Sequence, residues 1–334
     1  MSWRFPALLT FAAVLASGGA QAQKLDKVTF ATNWVAQGEH GGFYQALADG
    51  TYRRNGLDVT ILQGGPNANH RLLLPVGKID FYMSANTLQA FDAVEQNIPT
   101  VSVAAIFQKD PQVFLAHPNQ GINTFLDLKK LTLFVSKEGV ATYFQWMKRE
   151  FGFREDQVKP YTFNAQPFLA NKRSAMQGYV SSEPYAVERQ GKIVPKIFLL
   201  ADQGFASYST LIETRRDLVE KNPNLVQRFV NASIIRWYNY LYRDNQAGNA
   251  LIKRDNPEMT DDLLAYSRTA MIQYFIVDYG VTRTMGIGAI TDEHIKSFYD
   301  QMVRAGVVKA GLDYGKAYTT QFVNKGTGKE LRPK

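Results

Sequence analysis

Asn33-Trp34-Val35-Ala36-Gln37-Gly38-Glu39-His40-Gly41-Gly42-Phe43-Tyr44-Gln45-Ala46 joins a strand-like run at residues 28–32 to a helix-like one through a loop crowded with recognition groups. Asparagine offers a donor and an acceptor, and tryptophan offers a flat apolar face. The glycines let the backbone turn and leave the first N–H groups of the next helix unobstructed. A strand, a loop of this kind and a helix make the first unit of an α/β fold and suit a small planar polar ligand.

Outward from this stretch the alternation continues. Strands are expected at residues 57–63, 79–84 and 100–106, and helices at 42–49, 67–76 and 87–95. Gly50, Gly56 and Gly77 fall where helices should stop, and Pro99 precedes a strand, so turn chemistry agrees with periodicity. A second α/β unit follows Asp110-Pro111, with strands at 113–117, 131–136, 158–163, 177–181 and 193–200 and helices at 141–151, 167–172 and 184–190. This alternation is the signature of parallel sheets with crossover helices.

After Asp202 the pattern changes. One more strand is expected at residues 207–213, and the remainder reads as helical. Leu225, Val226, Phe229, Val230 and Trp237 recur at helical spacing after an Asn222-Pro223 start. Further helices open at Thr260 and Thr291, each with two acidic residues in its first turn that favour the positive end of the helix dipole. Residues 325–334 read as a loose tail. The expected organisation is a discontinuous lobe I, residues 24–108 and 202–334, around a lobe II of residues 109–201. Asp110 and Asp202 are then hinge candidates, because both fall where the chain crosses between lobes and crossings absorb backbone rotation.

The first 22 residues read as an export signal. Arg4 supplies the positive end, residues 7–15 form an apolar run too short to span a bilayer, and Ala20-Gln21-Ala22 ends it as a small-x-small cleavage site. The chain contains no cysteine, which excludes a disulfide framework, a thiol metal site and a lipid-acceptor cysteine. The expectation is a soluble, monomeric periplasmic protein.

A mature chain of about 310 residues with 45% hydrophobic content exceeds the size at which single cores usually split. Its formal charge of +8 is scattered, with no dense basic stripe interleaved with aromatics, so nucleic acid is not an expected partner. The four histidines, His40, His70, His117 and His294, lack ligand spacing, so no metal site is expected.

Asn33-Trp34 to Tyr44-Gln45-Ala46, Gly56-Leu57-Asp58-Val59-Thr60, Gly64-Gly65-Pro66, Gly77-Lys78-Ile79-Asp80-Phe81 and Ser182-Glu183-Pro184 together resemble the substrate-binding proteins of the thiamine-pyrimidine-precursor and sulfonate group of ABC importers. The resemblance implies a bilobal, type II periplasmic-binding-protein-like α/β fold with two parallel or mixed sheets, flanking helices and a hinge. It also implies a protein that captures one solute in the cleft and presents it to an inner-membrane permease, with no cofactor and no catalysis. Eukaryotic relatives that make the thiamine pyrimidine carry a cysteine-rich motif, which a cysteine-free chain cannot contain.

In open α/β sheets, ligands gather beyond the carboxyl ends of strands, where loops lead into helix N-termini. Applied to the expected strands, this selects Asn33, Trp34, Gln37, Glu39 and His40, then Gly64, Gly65, Pro66 and Asn67, then Ser84 and Asn86. From the other lobe it selects Ser136, Gly139 and Thr142, then Phe163 and Asn164, then Ser182 and Glu183. The alternative for Trp34, which is better placed to stack on a ring, is a core residue beneath the loop, and for Glu183 a helix-end charge; Gly64-Gly65-Pro66 reads first as a strand-to-helix turn and Ser84-Ala85-Asn86 first as a helix cap. The aromatics favour a planar heterocycle such as a formylaminopyrimidine or hydroxymethylpyrimidine. Riboflavin or another aromatic N-heterocycle comes second, and an alkanesulfonate or nitrate third, because an oxyanion site should aim arginine or several N–H donors at one point.

Overall fold

The structure, a computed structural model, describes residues 24–65 and 68–333 together with Met1. The remainder of the expected export segment lies outside the described residues, as do Pro66 and Asn67. Ten strands form two sheets: β1 (Asp26–Ala31), β2 (Leu57–Leu62), β3 (Phe81–Asn86), β4 (Thr100–Phe107), β5 (Gln112–Ala116), β6 (Thr132–Val135), β7 (Val158–Pro160), β8 (Ser174–Tyr179), β9 (Lys196–Leu199) and β10 (Ser209–Arg215).

The first sheet runs β2-β1-β3-β10-β4 and the second β7-β6-β8-β5-β9. The two orders are the same plan used twice. β1 is parallel to both β2 and β3, as β6 is to β7 and β8. The fourth place in each sheet goes to a strand arriving from the other sheet. β5 follows β4 across residues 108–111 and pairs antiparallel with β8 and β9. β10 follows β9 and pairs antiparallel with β3 and β4. The sheets are therefore mixed rather than parallel, each holding one crossing strand that runs antiparallel to both of its neighbours.

Strand-flanking helices match the periodicity closely at Thr87–Glu95, Tyr143–Phe151 and Glu183–Gly191. Residues 68–76, the described part of the expected helix 67–76, depart from it. Instead of a helix, a 3-10 turn covers His70–Leu73, and Leu72 and Val76 are exposed, so the apolar pattern there reflects no buried helical face. Gly50, Gly56 and Gly77 do adopt left-handed backbone, which glycine tolerates without a Cβ clash.

The long helix Pro223–Tyr242 begins with the Asn222 side chain accepting from the Leu225 N–H at 3.2 Å. It packs along the first sheet: Phe229 stacks on Phe81 with ring centroids 4.1 Å apart, and Trp237 meets Phe43 and Phe107 edge-on at 5.7 Å. Buried clusters draw residues from both sheets, as with Phe107 and Val113 in one and Ala105 and Phe114 in the other. Crossing strands thus share core as well as chain.

The C-terminal stretch is not a loose tail over its described residues. Arg332 clasps the buried Asp278 through two bonds of 2.5 and 2.7 Å, and Lys329 donates to the Thr284 carbonyl at 2.7 Å. A paired guanidinium fork on a buried carboxylate is a strong anchor, and composition alone did not reveal it.

Candidate functional site

The carboxyl ends of β1, β3, β6 and β8 converge with residues after β7 on one cavity of about 180 Å³. From the loop after β1, Asn33, Trp34, Gln37, Glu39 and His40 line it, and Asn86 enters from the end of β3. Ser136, Gly139 and Thr142 after β6, Phe163 after β7, and Ser182 and Glu183 after β8 line the facing side. Twelve strand-end positions chosen from sequence therefore meet in one place.

Four others lie elsewhere. Gly64 and Gly65 sit beneath the Asn33 loop: a Cβ on Gly64 would lie 2.5 Å from the Thr32 carbonyl oxygen, so glycine there permits close packing of two chain segments. Ser84 is buried inside β3, and the exposed Asn164 accepts from the Gln166 N–H at 2.9 Å as a local turn. Asp110, singled out for the crossing, is also a buried part of the cavity wall. Asp202 stays outside and pairs with Lys109 at 2.9 Å.

Trp34 and Phe163 reach toward each other with ring centroids 5.1 Å apart and planes tilted by 44°, and Tyr161 adjoins Phe163 at 5.4 Å. Phe163 is 56% exposed and holds a left-handed backbone at φ +60°. Thr210, another lining residue, has φ +49° within β10. A bulky aromatic and a β-branched residue in that region are genuine outliers, and such strain concentrates at binding sites.

Glu39 and His40 occupy a single 3-10 turn, Gly38–His40, and are buried with the rest of it. Ser181 Oγ donates to Glu39 Oε1, while Glu39 Oε2 has no protein partner. Desolvation pushes the Glu39 carboxyl up to about 7, against the hydrogen bond from Ser181. Both His40 ring nitrogens and Asn33 Oδ1 also lack protein partners, and burial lowers the imidazole to about 3, so it stays neutral. Asp110 is likewise raised to about 7 by burial, although the Gln112 N–H bonds it at 2.9 Å.

The facing wall is ordered by its own hydrogen bonds. Ser136 Oγ caps the Lys137–Ala141 helix at the Gly139 N–H, 3.1 Å away. Gln177 Oε1 accepts from the Ser136 N–H at 2.5 Å and the Tyr143 hydroxyl at 2.7 Å. Glu183 Oε2 accepts from the Tyr179 N–H and Ser182 Oγ, each at 2.6 Å, and burial raises that carboxyl too. Strand-end logic missed Glu138, Gln112, Gln177, Tyr143, Tyr161, Tyr179 and Thr210 in the lining. Glu138, two residues past Ser136, was within its reach, whereas Gln112 and Thr210 belong to the crossing strands, which no local pattern marks.

Among the described residues, no cluster of three His, Asp or Glu side chains is placed to hold a metal ion, and no helix is long and apolar enough to cross a membrane. His40 bonds to neither Ser181 nor Glu39, so the turn does not assemble a nucleophile–base pair oriented by a third group.

Residues 37–246 match the family model described as NMT1/THI5 like. The riboflavin-binding protein RibY of Chloroflexus aurantiacus is 23% identical over 311 residues, covering 91% of this chain and 88% of that protein. A 4-amino-5-hydroxymethyl-2-methylpyrimidine phosphate synthase of Schizosaccharomyces pombe is 29% identical over 104 residues, 31% of this chain and 30% of the synthase. The periplasmic aliphatic sulphonate binding protein SsuA from Escherichia coli superimposes with a TM-score of 0.63 at 15% identity, covering 87% of this chain and 91% of that one. At that identity the likeness is one of fold, and the fold is that of a periplasmic binding protein.

Proposed function

We propose that this chain, which belongs to the NMT1/THI5-like family, is the periplasmic solute-binding component of an ABC importer. It takes up a small planar N-heterocycle, of which an aminopyrimidine precursor of thiamine is the leading candidate, and delivers it to a two-subunit permease. The observation that carries the reading is the cavity bounded by both sheets, in which buried Asn33 Oδ1, Glu39 Oε2 and both His40 nitrogens face no protein partner. Unsatisfied buried polar atoms cost roughly 1–3 kcal/mol each, so a site that keeps four of them is built to bond something else. Trp34 and Phe163 supply aromatic faces from opposite walls.

Residues 24–108 and 202–334 form one lobe in this reading and residues 109–201 the other, with the crossings at Asp110 and Asp202 as hinges. The sheet memberships support the division. Solute docks on one wall, the cleft shuts, and buried aromatic area with newly made hydrogen bonds offsets the cost of immobilising it.

The full-length alignment with RibY favours riboflavin as a second reading. A cavity of about 180 Å³ is small beside the roughly 300–1,000 Å³ of drug-sized ligand sites, which suits one ring better than a tricyclic flavin. Catalysis is not part of the proposal, since the alignment with the synthase spans 30% of that enzyme.

A thermal-shift screen of refolded, solute-free protein against pyrimidines, flavins, pyridines, sulfonates, nitrate and amino acids tests the reading. A solute at a hundred times its dissociation constant adds about 2.7 kcal/mol. A pyrimidine hit is expected, weakened about tenfold or more by Trp34→Ala on the scale of base stacking with an unchanged circular dichroism spectrum. A hit with sulfonate alone overturns the ligand, and silence across the panel overturns the transport role.

A further inference from the structure

The charge of the cavity is one-sided. Glu39, Asp110, Glu138 and Glu183 all line it, and no lysine or arginine does so among the described residues. Burial holds the Tyr179 phenol well above its ordinary range, and each of the four adds to that shift, so all four lie within electrostatic reach of one group in the wall. The neighbouring cations are committed elsewhere. Arg71, which acts on Glu138, is bonded to Asp92 at 2.7 Å and to the Gln89 carbonyl at 2.6 Å. Lys109, adjacent to Asp110, turns outward to Asp202 at 2.9 Å and over the Tyr279 ring at 4.5 Å. His40 is kept neutral by burial.

An acidic cluster alone would mean little, but Glu39, which lines the cavity, is 2% exposed and its Oε2 has no protein partner. Glu39 and Asp110 are buried, Glu183 is half-buried and Glu138 is exposed at the rim; carboxylates gathered without a cation repel one another, and the buried ones also lose hydration, a cost that a bound positive charge removes. Trp34, Tyr161 and Phe163 add aromatic faces whose quadrupole attracts cations.

We infer that the solute is a planar aromatic cation, with an amidinium-like or protonated amine edge directed at Glu39 and Glu183 and its ring against Trp34 and Phe163. The inference rests on the solute-binding reading and specifies its charge. A forked pair of N–H donors matches a carboxylate bidentately, whereas a sulfonate or carboxylate would meet four acidic groups and no cation.

Three isosteric probes isolate charge from shape: benzamidine, which is cationic at neutral pH, benzamide, which is neutral, and benzoate, which is anionic. Calorimetric titration of solute-free protein should show benzamidine binding about tenfold or more tighter than benzamide, with benzoate not binding, as expected when like charges are juxtaposed in a low-dielectric site. The double variant Glu39→Gln, Glu183→Gln should bring the first two within about threefold of each other while its circular dichroism stays native. If the double variant fails to fold, Glu138→Gln alone should still narrow the ratio. The inference is overturned if benzamide or benzoate matches benzamidine, or if benzamidine does not bind. Should a neutral pyrimidine still stabilise the protein in the thermal screen in that event, the transport reading stands without the cation.

Discussion

Glu39 and His40 are adjacent in sequence and buried to the same degree, yet burial moves their protonation in opposite senses. Each group is driven to its neutral form because neither has a counter-ion. The folded protein therefore holds a proton on Glu39 between the ordinary carboxyl range, near 4.5, and about 7. The stability linked to that group is present below this window and is lost as the pH rises through it. Asp110 acts in the same direction, whereas His40 works against both, losing stability as pH falls below 6.5. Glu39→Gln isolates one contribution because the other two remain in both proteins. Between pH 5 and pH 8 the melting temperature of the ligand-free variant should gain on that of the wild type by several degrees, about what a few kcal/mol produces in a chain of this size. Equal pH slopes in calorimetry would mean that Glu39 ionises normally in the fold. The sequence marked both residues as polar loop positions. Their burial was not legible there, because it is imposed by Ser181, Ser267 and Tyr240 from distant parts of the chain.

The helix Gly41–Ala48 shows what local reading can misassign. Its glycines looked like devices for exposing backbone N–H groups. A Cβ on Gly41 would instead lie 2.1 Å from the Tyr240 ring, and one on Gly42 would lie 2.3 Å from Trp237. Both have ordinary right-handed surroundings, so their value is close approach to the helix Pro223–Tyr242. Gly42→Ala should cost about 1–3 kcal/mol in denaturant unfolding, the range for overpacking a filled core. A variant as stable as the wild type would mean that the two helices separate without penalty. Helix starts fared better: the Asn222, Thr260 and Thr291 side chains each cap the helix that the sequence placed after them. A cap is a contact within a few residues, so its signal is local.

At the scale of the whole molecule, two crossings join the sheets, and each delivers the antiparallel strand of the sheet it enters. In the proposed capture by closure, the chain would rotate about residues 108–111 and 200–208 while β5 and β10 stay paired. The absence of cysteine permits a clean measurement. Spin labels on Leu72→Cys, beside the first sheet, and Leu126→Cys, beside the second, occupy exposed sites. Their distance distribution should narrow and shift when a stabilising solute saturates the protein, as expected of domain closure. An unchanged distribution with bound solute would mean that the two halves do not move.

By itself the sequence determined the alternation of strands and helices, the capped starts of the C-terminal helices and the strand-end loops that meet at the cavity. Those features follow from periodicity, turn chemistry and the geometry of α/β connections, all of which act over short stretches of chain. The tertiary structure decided the rest: the antiparallel strands supplied by the crossings, the docking of Arg332 on Asp278, the packing role of Gly41 and Gly42, and the gathering of Glu39, Asp110, Glu138 and Glu183 around one cavity. Each depends on groups far apart in sequence, whose meeting is fixed by the whole packed core rather than by any segment within it.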